Sequence, residues 1–169
     1  MLAALVLAAL TAPSTGLATI RYDAPPPNFA FPTEHGTRSL ADLRGKVVII
    51  DFWASWCHVC TDELEEFVRA RELYGNRVAV VTLSAEPSDL AAKYLQLSNI
   101  ALPLVEDLEG TVFGIYSVSA LPVTLVLTPT GDVSYVSVGG VSWEELSAAI
   151  ERAQGHAASA STPGSGVLQ

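Results

Sequence analysis

Cys57 and Cys60 are the only cysteines of the chain, and they stand within Trp56-Cys57-His58-Val59-Cys60. The residues around them change character at that point. Val47 to Phe52 is an apolar run rich in β-branched residues, suited to a strand buried on both faces. From Cys57 the apolar residues Cys60, Leu64, Phe67 and Val68 recur at helical spacing, with acids on the other faces. The pattern predicts a helix from Cys57 to about Tyr74, with Cys57 at the junction and Cys60 one turn inside. A helix N-terminus carries unpaired N–H groups and a partial positive charge, and both favour a thiolate. The thiolate is the nucleophile of disulfide exchange. Cys57 is thus placed to attack, and Cys60, on nearly the same helix face, to close a ring with it or release a mixed disulfide. Two other readings compete with a redox-active dithiol. A structural zinc site usually needs four ligands, yet there is no second cysteine pair and His58 would point elsewhere on the helix. An inert structural disulfide would close a very short loop and restrict the unfolded chain little.

The elements that must position this pair can be read around it. Phe29-Ala30-Phe31 and Thr37-Arg38-Ser39, joined through Thr33-Glu34-His35-Gly36, read as a hairpin at the edge of the sheet. Leu40 to Leu43 reads as a helical turn stopped by Gly45. Beyond the cysteine helix, Arg77 to Leu83 is an apolar strand and Ser84 to Pro87 a loop. Ser88 is placed to cap a helix running through Leu97. Ala101 to Val105 reads as a short strand and Gly110 to Tyr116 as a short helix. Val123–Leu127 and Val133–Val138 are two strands joined by Pro129-Thr130-Gly131-Asp132, a hairpin signal. Ser142-Trp143-Glu144-Glu145 is a capping box that opens a helix to about Gln154.

These elements fall in residues 28–154, one domain. With 169 residues and 50% hydrophobic content, the chain is long enough to bury a substantial core. Residues 1–19 carry the apolar stretch Leu2–Leu10, too short to span a membrane. With Gly16 and Ala18 as small residues before a cut, the stretch fits a secretory signal; a short hydrophobic anchor or surface helix is the alternative. No cysteine follows it to carry a lipid. Residues 20–27 hold Pro25-Pro26-Pro27 and read as an extended linker. The Gly/Ala/Ser-rich residues 155–169 have nothing to bury and are expected to be disordered. The net charge of −9, from 9 basic and 18 acidic residues, argues against nucleic acid or an anionic membrane surface as partner.

Strands alternating with helices, then a hairpin and a final helix, give an α/β fold: a mixed central sheet with helices on both faces. With the cysteine motif added, the chain resembles the thioredoxin fold. Within it, the chain is similar to the TlpA/ResA-like branch of exported thiol–disulfide oxidoreductases, with the N-terminal β-hairpin as an extension. The resemblance runs from about Asn28 to Ala153. It is carried by Ser39 to Val48, by Asp51-Phe52-Trp53-Ala54-Ser55-Trp56-Cys57, and by Tyr116 to Thr124 with Leu121-Pro122 inside it.

The resemblance implies further roles. Pro122 matches the cis-proline that faces the cysteine pair, and Leu121 would supply a backbone contact to a bound peptide; on local sequence alone, Pro122 reads as an ordinary strand-starter. Asp51 matches the buried acid of thioredoxin, and Glu63 a glutamate that ResA-like members carry. The chemistry has a use for such groups. Cys60 must lose a proton to attack a mixed disulfide, and a nearby carboxyl with a pKa raised by burial is a suitable acceptor. Asp51 in an apolar strand is hard to explain as surface. Glu63 has a plainer alternative, since Asp62, Glu63, Glu65 and Glu66 form a run near a helix N-terminus. Trp56 reads as a cover over the pair and a substrate surface, or as core packing. His58 either stabilises the Cys57 thiolate when protonated or is merely solvated. Val59 and Glu65 stand where most relatives have proline, which implies a straighter helix. His35 and His156 have no partner visible in sequence.

The function expected is an exported, periplasmic or extracytoplasmic oxidoreductase that reduces disulfides of client proteins, supplied with electrons by a membrane thiol donor. The resemblance implies apocytochrome c or a copper-site assembly protein as client. No NAD, flavin or metal fingerprint is present, so the redox-active disulfide is the only cofactor expected. An oxidase or isomerase with the same cysteines, a copper carrier using them as soft ligands, and a peroxidase are the alternatives.

Overall fold

A computed structural model describes residues 24–33, 36–87 and 89–160, with side chains up to Gly155. Strands β1 (Ala30–Thr33) and β2 (Gly36–Ser39) pair antiparallel, and a single turn of 3₁₀ helix follows at Leu40–Leu43. Then come β3 (Val47–Phe52), α1 (His58–Tyr74), β4 (Val78–Ser84), α2 (Leu90–Leu97), β5 (Leu104–Glu106) and α3 (Thr111–Ile115). The chain closes with β6 (Val123–Leu127), β7 (Val133–Val138) and α4 (Trp143–Ala160). The main sheet has the order β5-β4-β3-β6-β7, so β3 is its middle strand, parallel to β4 and antiparallel to β6. This is the mixed α/β sheet expected.

Strand alternation splits the core in two. Val47 and Ile49 face one layer with Val78, Val80 and Val126, against Leu64 and Phe67 of α1, Leu95 of α2 and Leu146 and Ile150 of α4. Val48, Ile50 and Phe52 face the other with Leu83 and Leu125, against Phe29 and Phe31 of the hairpin segment and Val112 and Phe113 of α3. Two successive parallel crossovers, β3 to β4 and β4 to β5, step in the same direction, which sets α1 and α2 on the same face. Every residue of β3 is buried, as its composition demands. Arg69 of α1 lies 4.0 Å over the Trp143 ring and ties α1 to α4.

Four details differ from the sequence reading. The hairpin is a sheet of its own, not an edge of the main one; Leu40 N–H donates to Phe29 O at 2.9 Å, and the phenyl rings pack on Tyr116 and the lower core. The short strand begins at Leu104, not Ala101. Pro103 precedes it, and its carbonyl accepts from both Thr82 N–H at 3.0 Å and Thr82 Oγ1 at 2.8 Å. Helix α4 runs to Ala160, past the expected end at Gln154 and into the tail expected to be disordered. Gly155 does not adopt the left-handed conformation that stops helices, and alanines follow it. Pro25–Pro27 lie against the domain: Val133 N–H donates to Ala24 O at 3.1 Å and Tyr116 Oη to Pro27 O at 2.7 Å. The leader 1–19, Ser88, His35 and residues 161–169 lie outside the described residues. Among the described residues, no helix is long and apolar enough to cross a membrane.

Candidate active site

Where β3 ends, the chain turns through Ala54, Ser55 and Trp56. Trp53 N–H donates to Leu83 O at 3.0 Å, and Cys57 N–H donates to Ala54 O at 3.1 Å. Cys57 is then the N-cap of α1, and its Sγ accepts from Cys60 N–H at 3.3 Å. The two cysteines are joined in a disulfide with their Cα atoms 5.2 Å apart. Cys60 is fully buried whereas Cys57 is partly exposed. The outer sulfur is therefore reachable and the inner one is not. The first turn of α1 carries no acid, so its N-terminal partial charge acts on Cys57 without local compensation. His58 is exposed at the first position of the helix.

Asp51 shares the parity of Val47 and Ile49, which turns its side chain towards α1 and α4. Thr124, opposite Asp51 in register, shares the parity of Val126 and lies on that same face. Glu63 meets them from α1. It is buried, not part of a solvated acidic run, because its position follows Cys60 by three residues and precedes Leu64 of the inner stripe. One Glu63 oxygen, Oε2, accepts from Val141 N–H at 2.8 Å. Glu63 Oε1, both Asp51 oxygens and Thr124 Oγ1 are buried without a formed hydrogen bond, although the two carboxyls and the hydroxyl act on one another electrostatically. Burial pushes Asp51 well above the usual carboxylate range, and the neighbouring Glu63 charge adds to it. Burial pushes Glu63 up to about 7, against the pull of the Val141 N–H and of Asp51. The structure thus brings together two carboxyls held above the usual carboxylate range, one of them three residues past the buried Cys60 on α1.

The Leu121–Pro122 peptide bond is cis, and Pro122 O accepts from Gly139 N–H at 3.0 Å. Val138, opposite Val123 in register, is 67% exposed, and Val59 in the first turn of α1 is 51% exposed. Trp56 is 73% exposed, so it does not pack into the core; the buried tryptophan of the motif is Trp53. Trp56 immediately precedes Cys57 and Val59 lies in the first turn of α1, so both expose apolar surface beside it. Gly140 has φ +102°, and an added Cβ there would come within 2.9 Å of Val59 Cγ1. A Gly140→Ala chain is expected to lose roughly 1–3 kcal/mol of stability, from the left-handed strain plus this contact; urea denaturation of the oxidised protein measures it.

Sequence reasoning missed four contributors. Val141 and Gly140 touch the site only because α4 folds back on α1, which local pattern does not encode. Thr124 reads as an ordinary strand residue. Glu86 follows an apolar strand in Ser84-Ala85-Glu86-Pro87 and reads as a loop acid; its burial is the signal, visible only in three dimensions.

A cleft of about 900 Å³ between the hairpin and the β4–β5 side of the sheet includes neither cysteine. Among the described residues, no three His, Cys, Asp or Glu side chains gather where they could hold a metal ion.

Comparison with known proteins agrees with this geometry. Residues 23–136 match the AhpC/TSA family. The chain is 30% identical over 125 residues to thioredoxin-like protein YneN of Bacillus subtilis, covering 71% of this chain and 73% of that one. It is 31% identical over 116 residues to thiol-disulfide oxidoreductase ResA of Bacillus subtilis, covering 67% of this chain and 65% of that protein. Among solved structures, a putative thiol:disulfide interchange protein DsbE from Chlorobium tepidum superposes with a TM-score of 0.71 at 27% identity, over 79% of this chain and 98% of that one.

Proposed function

The chain belongs to the AhpC/TSA family as a thiol–disulfide oxidoreductase of the ResA and DsbE type, and on that premise we propose that it reduces disulfides of client proteins outside the cytoplasm. The observation that carries the reading is the asymmetry of the pair: a partly exposed sulfur at a helix N-terminus and a fully buried partner one turn inside. The exposed Trp56 and Val59 beside it suit the surface of another protein better than a small molecule.

In the reaction, the Cys57 thiolate attacks one sulfur of the client disulfide, and the other client sulfur leaves as a thiolate. A mixed disulfide now joins Cys57 to the client. Cys60 gives its proton to the Asp51–Glu63 pair and attacks Cys57 Sγ, forming the Cys57–Cys60 disulfide and releasing the second client thiol. Two electrons pass to the client, and a membrane thiol donor returns two to this protein. Leu121 and Pro122 hold the client strand beside Cys57, Trp56 supplies apolar contact, and exposed His58 adds positive charge near Cys57 when protonated. The client class is the apocytochrome c or copper-site assembly proteins, and residues 1–19 direct export.

The direction of electron flow turns on how strongly the reduced pair is stabilised, and a strong oxidant stabilises its reduced form. Equilibration against dithiothreitol and glutathione buffers is expected to give a potential near thioredoxin's, about −270 mV. A value near about −120 mV would reverse the assignment to disulfide formation.

A further inference from the structure

The turn that presents Cys57 is held from below by a carboxylate that no step of the reaction consumes. Glu86 lies just past β4 and is only 8% exposed. Its Oε2 accepts from Ser55 N–H at 2.6 Å and from Ser84 Oγ at 3.1 Å, and its Oε1 accepts from Ser55 Oγ at 2.8 Å. Ser84 Oγ in turn accepts from Glu86 N–H at 3.4 Å, which fixes the glutamate to the strand end. Both oxygens are thus spent on the turn and on β4. Ser55 stands immediately before Trp56 and Cys57, and Cys57 N–H bonds back to Ala54. A displacement of Ser55 would therefore move both the tryptophan and the attacking sulfur.

We infer that Glu86, with Ser55 and Ser84, is a positioning residue that fixes the turn carrying Trp56 and Cys57 in the orientation a client disulfide requires. The inference rests on the reading of the protein as a reductase of protein disulfides. In-line attack on a disulfide held in a macromolecule demands a defined approach of Cys57 Sγ. A misplacement of about 1 Å costs on the order of 10²-fold in such reactions. A small diffusible disulfide approaches from any open side and is far less sensitive.

Glutamine can keep every contact. Its amide oxygen takes the place of Oε2, and its NH₂ donates to the Ser55 hydroxyl, which both donates and accepts. Alanine leaves the Ser55 N–H and the Ser55 and Ser84 hydroxyls without this acceptor.

The test compares two substrates on the reduced protein: a fluorogenic peptide disulfide of about ten residues and Ellman's reagent. Glu86→Ala is expected to lower kcat/KM for the peptide by roughly 10- to 100-fold and to change the rate with Ellman's reagent by less than about threefold. Glu86→Gln is expected to restore the peptide rate to within about threefold of wild type. Ser55→Ala, which removes one of the two bonds to Ser55 and serves if Glu86→Ala does not fold, is expected to lose about 3- to 10-fold on the peptide alone. A general structural role would slow both substrates alike, with the wild type turning over both, and that result overturns the inference. So does an unchanged peptide rate. A wild-type protein that reacts with Ellman's reagent but leaves the peptide oxidised overturns the reductase reading itself, and the inference with it.

Discussion

Cys60→Ser turns the protein into a trap: client proteins are expected to remain joined to Cys57 as stable mixed disulfides, and multiple-turnover reduction to fall by about 10³-fold or more. The expectation rests on three observations. No third cysteine exists in the chain to resolve the adduct. Cys60 is fully buried and bonded to Cys57, so it is the resolving thiol that the fold itself supplies. The serine hydroxyl in its place is far too weak an acid to attack at neutral pH. Cys57→Ser is expected to abolish turnover as completely but to trap nothing, because the reachable nucleophile has gone. The two variants therefore separate the attacking sulfur from the resolving one. Non-reducing electrophoresis of each reduced variant after incubation with a disulfide-bonded peptide reads the outcome. Adducts formed on Cys57→Ser, or an absence of adducts on Cys60→Ser, would reverse or remove the assigned roles.

The legible and illegible parts of this molecule divide by how local their causes are. The bounds of β6 and β7 are as read, because Pro122 precedes the first and Pro129-Thr130-Gly131-Asp132 separates them. The capping box is formed as read, with Ser142 Oγ donating to Glu145 Oε2 at 2.8 Å and Glu145 N–H donating to Ser142 Oγ at 3.3 Å. The position of Cys57 at a strand-to-helix junction was visible because the apolar period changes within a few residues. What failed needed knowledge of a distant partner. The hairpin reads as a sheet edge because its strands alternate correctly, yet Phe29 and Phe31 pack onto a face of the main sheet, with Phe29 against Tyr116, instead of its strands pairing with an edge. Glu63 was marked by the resemblance, whereas the residues alone left it within a run of four acids, and its burial comes with the distant Val141 N–H that it accepts from. Asp51 was conspicuous because a charge in an apolar strand conflicts with its neighbours, and such conflicts gather at functional positions. Glu86, in a loop, raised no such conflict.

Asp51→Asn is expected to slow the resolving step by on the order of 10²-fold near neutral pH while leaving the first attack by Cys57 nearly untouched. The asparagine keeps the size of the side chain but cannot receive the Cys60 proton. Because hydroxide in bulk water replaces the acceptor as pH rises, the deficit shrinks towards the alkaline end of the range. Stopped-flow decay of the mixed disulfide between pH 6 and 9 measures this directly, and equal decay rates for wild type and variant across that range would remove Asp51 from the mechanism. Stability carries an independent signature of the same pair. Glu63 has a folded-state pKa raised from 4.5 to about 7, so the folded protein keeps a proton that the unfolded chain releases. Linkage then fixes the sign: the contribution of Glu63 to stability is full below 4.5 and is lost as pH rises through about 7. Glu63→Gln removes that dependence while its amide oxygen can still accept from Val141 N–H. Its stability relative to wild type is therefore expected to rise by on the order of 2–3 kcal/mol as pH goes from 4 to 8, read by urea denaturation of the oxidised forms. The same substitution removes the charge that adds to burial in holding Asp51 up, so Asp51 ionises at somewhat lower pH and the acidic limb of the resolving step moves down with it. A limb that stays in place when Glu63 is neutralised would mean that the two carboxyls titrate separately, and that Cys60 has a single acceptor.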